Sequence, residues 1–286
     1  MTDCRTITTD DGVELLDRVD GETSGPPVVI LHGYMNDGVA WREVVLPLVD
    51  TGYFVVRPDH RGHGGSANLG DESAYSFDRL CRDTLAVVDH LGVDTFHLVG
   101  HSMGGYLAQM LSIGHQERLR SLVLVDCSPM PGSPDRAWAA RLRRFVAYRI
   151  GPGRLTRLLA PFLSRLTIGS SSGRTREERR AGLDDFVRSA EMHDPAAFVA
   201  LGEQLQAHDD LRPFLPEITV PTTVVVGENE VAKLRAGADA LAAGIPGAAF
   251  EIVDDAGHGA PMEQPEQFTR ILLDHLQTRE RSLSDD

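Results

Sequence analysis

Lysine is almost missing from this 286-residue chain: Lys233 is the only one, and arginine carries every other full positive charge. That bias is expected of a GC-rich bacterial genome and says nothing about mechanism. Cysteine is scarce as well. Cys4, Cys81 and Cys127 are odd in number and widely spaced, which excludes a disulfide framework and predicts reduced thiols in a cytoplasmic protein. No run reaches 18 apolar residues, so no membrane-spanning helix is expected. The polar start Met1-Thr2-Asp3-Cys4-Arg5 lacks the apolar stretch of a signal peptide. Positive charge is in deficit, 28 Lys+Arg against 42 Asp+Glu, and the resulting net charge of -14 sets aside nucleic acid and membranes as main partners. HExxH, CxxC and P-loop patterns are absent, so no metal and no nucleotide cofactor is expected. A small-molecule substrate is the expected partner, and a homo-oligomer is compatible with the sequence.

What is present is alternation. Short β-branched runs recur at Val28–Leu31, Tyr53–Arg57, Phe96–Val99, Leu122–Val125, Thr223–Val226 and Ala249–Val253, and each reads as a buried strand. Helical patterns fall between them at about 39–50, 77–91, 104–116, 232–243 and 265–279. Thr6–Thr9 and Val13–Val19, joined through Asp11-Gly12, read as a leading β-hairpin. The core is therefore an α/β, doubly wound, mostly parallel sheet of about eight strands.

Almost a hundred residues after Val125 break the rhythm. They hold amphipathic stretches (Ala137–Tyr148, Leu155–Leu166, Arg176–Ser189, Ala196–Ala207) separated by Gly151-Pro152-Gly153 and Ser170-Ser171-Ser172-Gly173. Pro129, Pro131 and Pro134 mark the start, Pro213 and Pro216 the end. The pattern predicts a helical lid over 129–216 inserted into a core of 1–128 and 217–286. Twelve arginines lie between Arg136 and Arg180; they either clothe the outside of these helices or draw an acidic substrate toward the site. Leu155, Leu158, Leu159, Phe162, Leu163 and Leu166 give one stretch an apolar face, which suits a medium-sized apolar substrate or simple packing.

The chemistry is signalled by Gly100-His101-Ser102-Met103-Gly104, directly after the run Phe96–Val99 and before the helical pattern Gly105–Leu111. A strand that turns into a helix through G-x-S-x-G presents the serine hydroxyl clear of the sheet, and glycine at both ends relieves the crowding this creates. A serine hydroxyl needs a base at neutral pH. Of eleven histidines, His258 stands out because its loop, Asp254-Asp255-Ala256-Gly257-His258-Gly259, follows the last strand and would share the sheet edge of Ser102. His32, His60, His63 and His101 have local structural readings; His63 would organise its Gly-rich turn, and His101, inside the elbow, cannot fold back on its neighbour. An acyl-transfer intermediate needs oxyanion donors: the N–H of Met103 is one, and the N–H of Tyr34, in the loop His32-Gly33-Tyr34-Met35-Asn36, is the other.

Val29-Ile30-Leu31-His32-Gly33, the run Arg57-Pro58-Asp59-His60-Arg61-Gly62-His63-Gly64-Gly65-Ser66, Gly100–Gly105 and Asp255-Ala256-Gly257-His258 together resemble the α/β-hydrolase superfamily. The nearest likeness is to its bacterial esterase, haloperoxidase-like and C–C hydrolase branch. It covers about 1–128 and 217–278. The resemblance implies the chain order serine, acid, histidine and places the acid in the turn Gly227-Glu228-Asn229-Glu230, where aspartate is common and this chain has Glu230. Asp126, after the strand Leu122–Val125, is the alternative acid, whose bland role would be to bond loop backbone. Relatives that use aspartate at the elbow, the haloalkane dehalogenases and epoxide hydrolases, are set apart by Ser102. Three readings follow: hydrolysis of an ester, lactone or thioester through an acyl-Ser102 intermediate; C–C cleavage, elimination or cofactor-free oxygenation with His258 as base; or a ligand-binding protein on a retired scaffold.

Overall fold

The computed structural model describes residues 2–132, 137–166 and 176–285, with side chains described except at 160–166, 176–179 and 284–285. The break Ser170–Gly173 and Pro134 lie outside the described residues.

Eight strands form one sheet: β1 (Asp3–Thr8), β2 (Glu14–Asp20), β3 (Pro27–Leu31), β4 (Phe54–Pro58), β5 (Phe96–His101), β6 (Leu119–Val125), β7 (Thr222–Gly227) and β8 (Ala249–Val253). Their order is β1-β2-β4-β3-β5-β6-β7-β8. The β1–β2 hairpin and the β2–β4 pair are antiparallel, and every pair from β4 to β8 is parallel.

The period-2 side-chain alternation of a strand creates two apolar layers. Val28 and Ile30 of β3 join one core with Val55, Val99, Val123, Val125, Val225 and Val253, while Val29 and Leu31 join the other with Phe54, Val56, Leu98, Leu122, Leu124 and Val224. Helices cover each layer. On the first side lie α1 (Arg42–Asp50), through Val44, Val45 and Leu48, and the long C-terminal helix, through Phe268, Leu272 and Leu276. Those last three are spaced by four residues and fully buried, each worth roughly 1.5–3 kcal/mol. On the second side lie α2 (Phe77–His90), opened by a Ser76 side chain that accepts the Arg79 N–H, and α3 (Met103–Gly114).

Among the described residues, four α-helices fall between β6 and β7: α4 (Ala137–Phe145), α5 (Pro152–Leu166), α6 (Arg176–Glu191) and α7 (Pro195–Ala207). α4 runs on as a π-helical turn over Val146–Ile150, and no strand occurs among the described residues of this stretch. Asp194 ties the stretch to the core. One carboxylate oxygen caps α7 by accepting the Ala196 N–H at 2.8 Å, and the other accepts from Leu69 N–H (2.8 Å), Gly70 N–H (2.7 Å) and the Tyr75 hydroxyl (2.5 Å). After β7 come α8 (Ala232–Gly244), the short α9 (Ala260–Glu263) and α10 (Pro265–Asp285), the C-terminal helix already placed.

Candidate active site

Parallel strands bring their carboxyl ends to one edge, and the loops leaving β5, β6, β7 and β8 deliver Ser102, Asp126, Glu230 and His258 there. Ser102 is held at φ 54°, ψ -115°, a conformation that costs a non-glycine residue on the order of 1–3 kcal/mol. Its N–H donates to Val125 O at 2.9 Å. The strain persists because α3 presses onto the sheet: a Cβ added at Gly104 would stand 2.4 Å from Leu31 O, and one at Gly100 2.3 Å from Gly104 O.

His258 Nε2 lies 3.0 Å from Ser102 Oγ, and its Nδ1 lies 2.6 Å from Glu230 Oε2. A carboxylate only accepts, so Nδ1 carries the proton and Nε2 turns a lone pair toward the hydroxyl. The Glu230 side chain is 1% exposed, and its other oxygen accepts the Val231 N–H at 2.7 Å. Burial pulls the His258 pKa down. The Glu230 hydrogen bond and the negative charges of Glu230, Asp126 and Glu263 outweigh it, and the net direction is up. The His258 side chain is 38% solvent-accessible, through the cavity it lines.

Of the two carboxylates left open by the sequence, Glu230 is the one at the imidazole. Asp126 is fully buried and turned to backbone: Oδ1 accepts the Gly227 N–H at 2.9 Å and Oδ2 the Ala260 N–H at 3.1 Å. Burial pushes its pKa up to about 7. Glu228 accepts the Asp255 N–H at 2.9 Å and is exposed.

Met103 opens α3, so its N–H has no intrahelical acceptor. Tyr34 follows Gly33, whose backbone passes so close to the elbow that an added Cβ would stand 3.2 Å from Ser102 Cβ. The Tyr34 hydroxyl donates to Phe198 O at 2.5 Å and its ring stacks on Phe198, centroids 5.6 Å apart, which fastens this loop to α7.

His101 is not idle. Its Nε2–H donates to His258 O at 2.6 Å, so the elbow holds the backbone of the residue that faces its serine. The sequence reading missed this because the contact spans 157 residues and no pattern announces it. It also missed Asp37, fully buried in the loop after β3, which accepts from Ser189 Oγ at 2.8 Å and from Arg188 at 3.0 Å on α6.

Ser102 and His258 open into a cavity of about 520 Å³. Its wall is mostly apolar, with Met35, Leu155, Leu159, Leu183, Phe186 and Phe198 among the lining residues. Leu158 points outward, 74% exposed, so the apolar face read on α5 is divided; the side chains of Phe162, Leu163 and Leu166 lie outside the described residues. Arg42 of α1 and Asp185 of α6 also line the cavity and pair across it at 2.6 Å. Among the described residues no cluster of three or more His, Cys, Asp or Glu is arranged to hold a metal ion, and no helix is long and apolar enough to cross a membrane.

The family model for the alpha/beta hydrolase fold matches residues 26–265. The chain is 31% identical over 266 residues to a 2-hydroxy-6-oxononadienedioate/2-hydroxy-6-oxononatrienedioate hydrolase of Klebsiella pneumoniae, covering 87% of this chain and 86% of that protein. Its structure is similar to that of an enol-lactonase from Burkholderia xenovorans, with a TM-score of 0.82, 27% identity and coverage of 96% and 100%. A thermophilic esterase from Thermogutta terrifontis matches with a TM-score of 0.80, 29% identity and coverage of 97% and 99%. The chain belongs to the α/β-hydrolase family and is an enzyme of that family.

Proposed function

We propose that the chain is a serine hydrolase that cleaves a carboxylic ester, lactone or thioester of a small to medium, partly apolar substrate through an acyl-Ser102 intermediate. One observation carries this reading: the unbroken line Ser102 Oγ–His258–Glu230, with separations of 3.0 and 2.6 Å. His258 Nε2 takes the Ser102 proton as Oγ attacks the carbonyl carbon. The N–H groups of Met103 and Tyr34 receive the developing oxyanion. The imidazolium, held by Glu230, protonates the leaving alcohol or thiol. Water then enters, loses a proton to Nε2 and attacks the acyl carbon; Ser102 Oγ leaves and takes that proton back. The helices over 129–216 act as a lid whose inner wall holds the acyl portion, on a core of 1–128 and 217–286, and the protein works in the cytoplasm.

The test is labelling by a fluorophosphonate probe, read by intact mass for wild type, Ser102→Ala and His258→Ala. Rapid labelling of wild type alone is expected. No labelling of folded wild type sinks the acyl-enzyme reading. A second reading, C–C bond cleavage with His258 as base, is favoured by the 31% likeness to the nonadienedioate hydrolase. Substantial residual turnover by Ser102→Ala would select it.

A further inference from the structure

We infer that Glu263 is a positioning residue that clamps the backbone of His258, an inference that rests on His258 being the base of this site. The two carboxylate oxygens of Glu263 each take one N–H, from the residues on either side of the histidine. Oε2 accepts from Gly257 at 3.0 Å and Oε1 from Gly259 at 3.0 Å.

The need for such a clamp follows from the local sequence. Gly257-His258-Gly259 has the backbone freedom of two glycines, and it ends the loop Asp254–Gly259 that joins β8 to α9. A general base on so loose a tripeptide would wander by more than a catalytic hydrogen bond tolerates. Three backbone groups are instead fixed in succession: the Gly257 N–H by Glu263, the His258 carbonyl by His101 Nε2–H at 2.6 Å, and the Gly259 N–H by Glu263. The clamp is itself rigid, because the Glu263 N–H closes the turn onto Gly259 O at 2.7 Å.

The residue type is also telling. Glu263 is 6% exposed, and among the described residues no arginine or lysine pairs with its carboxylate. Burying a carboxylate with no cation is costly unless its lone pairs are satisfied. Here each oxygen takes one N–H; burial still raises the Glu263 pKa, and the carboxylate charge favours the imidazolium of His258. Glu230, Asp126, His101 and Glu263 are the ionisable groups around that ring, each from a different element, and Arg42, Glu43 and Asp185 line the rest of the cavity. Glu263 thus acts in two ways that can be separated: as a two-point acceptor that sets position, and as a charge that favours the imidazolium.

The experiment is an NMR titration of the His258 Cε1–Hε1 signal, assigned with His258→Ala, in wild type, Glu263→Gln and Glu263→Asp, together with kcat, KM and thermal unfolding. Glutamine keeps one acceptor and loses the charge. For Glu263→Gln, His258 is expected to titrate at lower pH than in wild type, and kcat to fall about 10- to 100-fold, as misplacement approaching 1 Å produces, with KM nearly unchanged. Aspartate keeps the charge but is one methylene short. For Glu263→Asp the titration should stay near wild type while kcat still falls. A Glu263→Gln protein whose His258 titrates as in wild type, whether or not it is less stable, overturns the inference. If Glu263→Gln does not fold, Glu263→Asp decides, and an unchanged kcat there overturns it too. Because the titration needs no turnover, a wild type without Ser102-dependent activity would sink the hydrolase reading alone.

Discussion

Replacing Glu230 by glutamine removes one charge from beside His258 and reverses the hydrogen-bonding sense at Nδ1. The magnitude follows from the geometry. Imidazolium and carboxylate charge centres in a 2.6 Å hydrogen bond lie about 4 Å apart, and at an effective dielectric of about 20 they attract by ~4 kcal/mol. That is about three decades of rate. The amide can also donate to Nδ1 and so stabilise the tautomer that turns Nε2–H toward Ser102, a fault that costs about 10⁴ in a Ser-His-Asp protease. The expected loss for Glu230→Gln is therefore 10³- to 10⁴-fold in kcat with KM little changed, measured on any ester the enzyme turns over. The acid limb of the pH–rate profile should move to lower pH, because the carboxylate that raises the His258 pKa is gone. Asp126→Asn is the control. It sets an amide donor against one of two backbone N–H groups, so about 1–3 kcal/mol of stability should be lost, with kcat within about tenfold of wild type. A Glu230→Gln loss below about tenfold, or a larger loss for Asp126→Asn, would refute the assignment.

Gly104→Ala drives a methyl group to within 2.4 Å of Leu31 O and 2.7 Å of His32 O. Both atoms are backbone, so α3 must lift from the sheet; urea unfolding should show a loss of about 1–3 kcal/mol or more, and a neutral result would mean that the elbow is not crowded. Asp17 is fully buried, and neither carboxylate oxygen meets a donor among the described residues. Burial raises its pKa from 3.8 to about 7. The folded state therefore holds a proton that the unfolded chain releases, and stability falls as pH rises through that window, by up to ~4 kcal/mol at ~1.36 kcal/mol per unit. Asp17→Asn should gain stability over wild type at about pH 8 and little at about pH 4; equal effects at both would reject the reasoning. Several arginines of the helical stretch already have carboxylate partners: Arg144 with Glu72 and Glu203, Arg157 with Glu191, and Arg188 with Asp37. For an anionic ester, kcat/KM should then change less than about threefold between low and moderate salt, and a steep decline would restore electrostatic steering.

Sequence alone determined the sheet and the strand–turn–helix that carries Ser102, because both are local. Buried parallel strands must be apolar on both faces, so Val28–Leu31 and Leu122–Val125 could be read one segment at a time. The elbow needs glycine where α3 meets β5, and Gly100 and Gly104 wrote that crowding into the chain. Which of Glu230 and Asp126 stands against the imidazole depends on the three-dimensional arrangement. Both leave the carboxyl ends of neighbouring strands, and the difference lies in which way each side chain turns: Asp126 into the backbone N–H groups of Gly227 and Ala260, Glu230 onto the imidazole. His101, which bonds the His258 carbonyl, and Glu263, which bonds the N–H groups of the flanking glycines, escaped notice for the same reason. Their partners are backbone atoms, which every residue carries, and a sequence records side chains but not where another segment's N–H and C=O groups will come to rest.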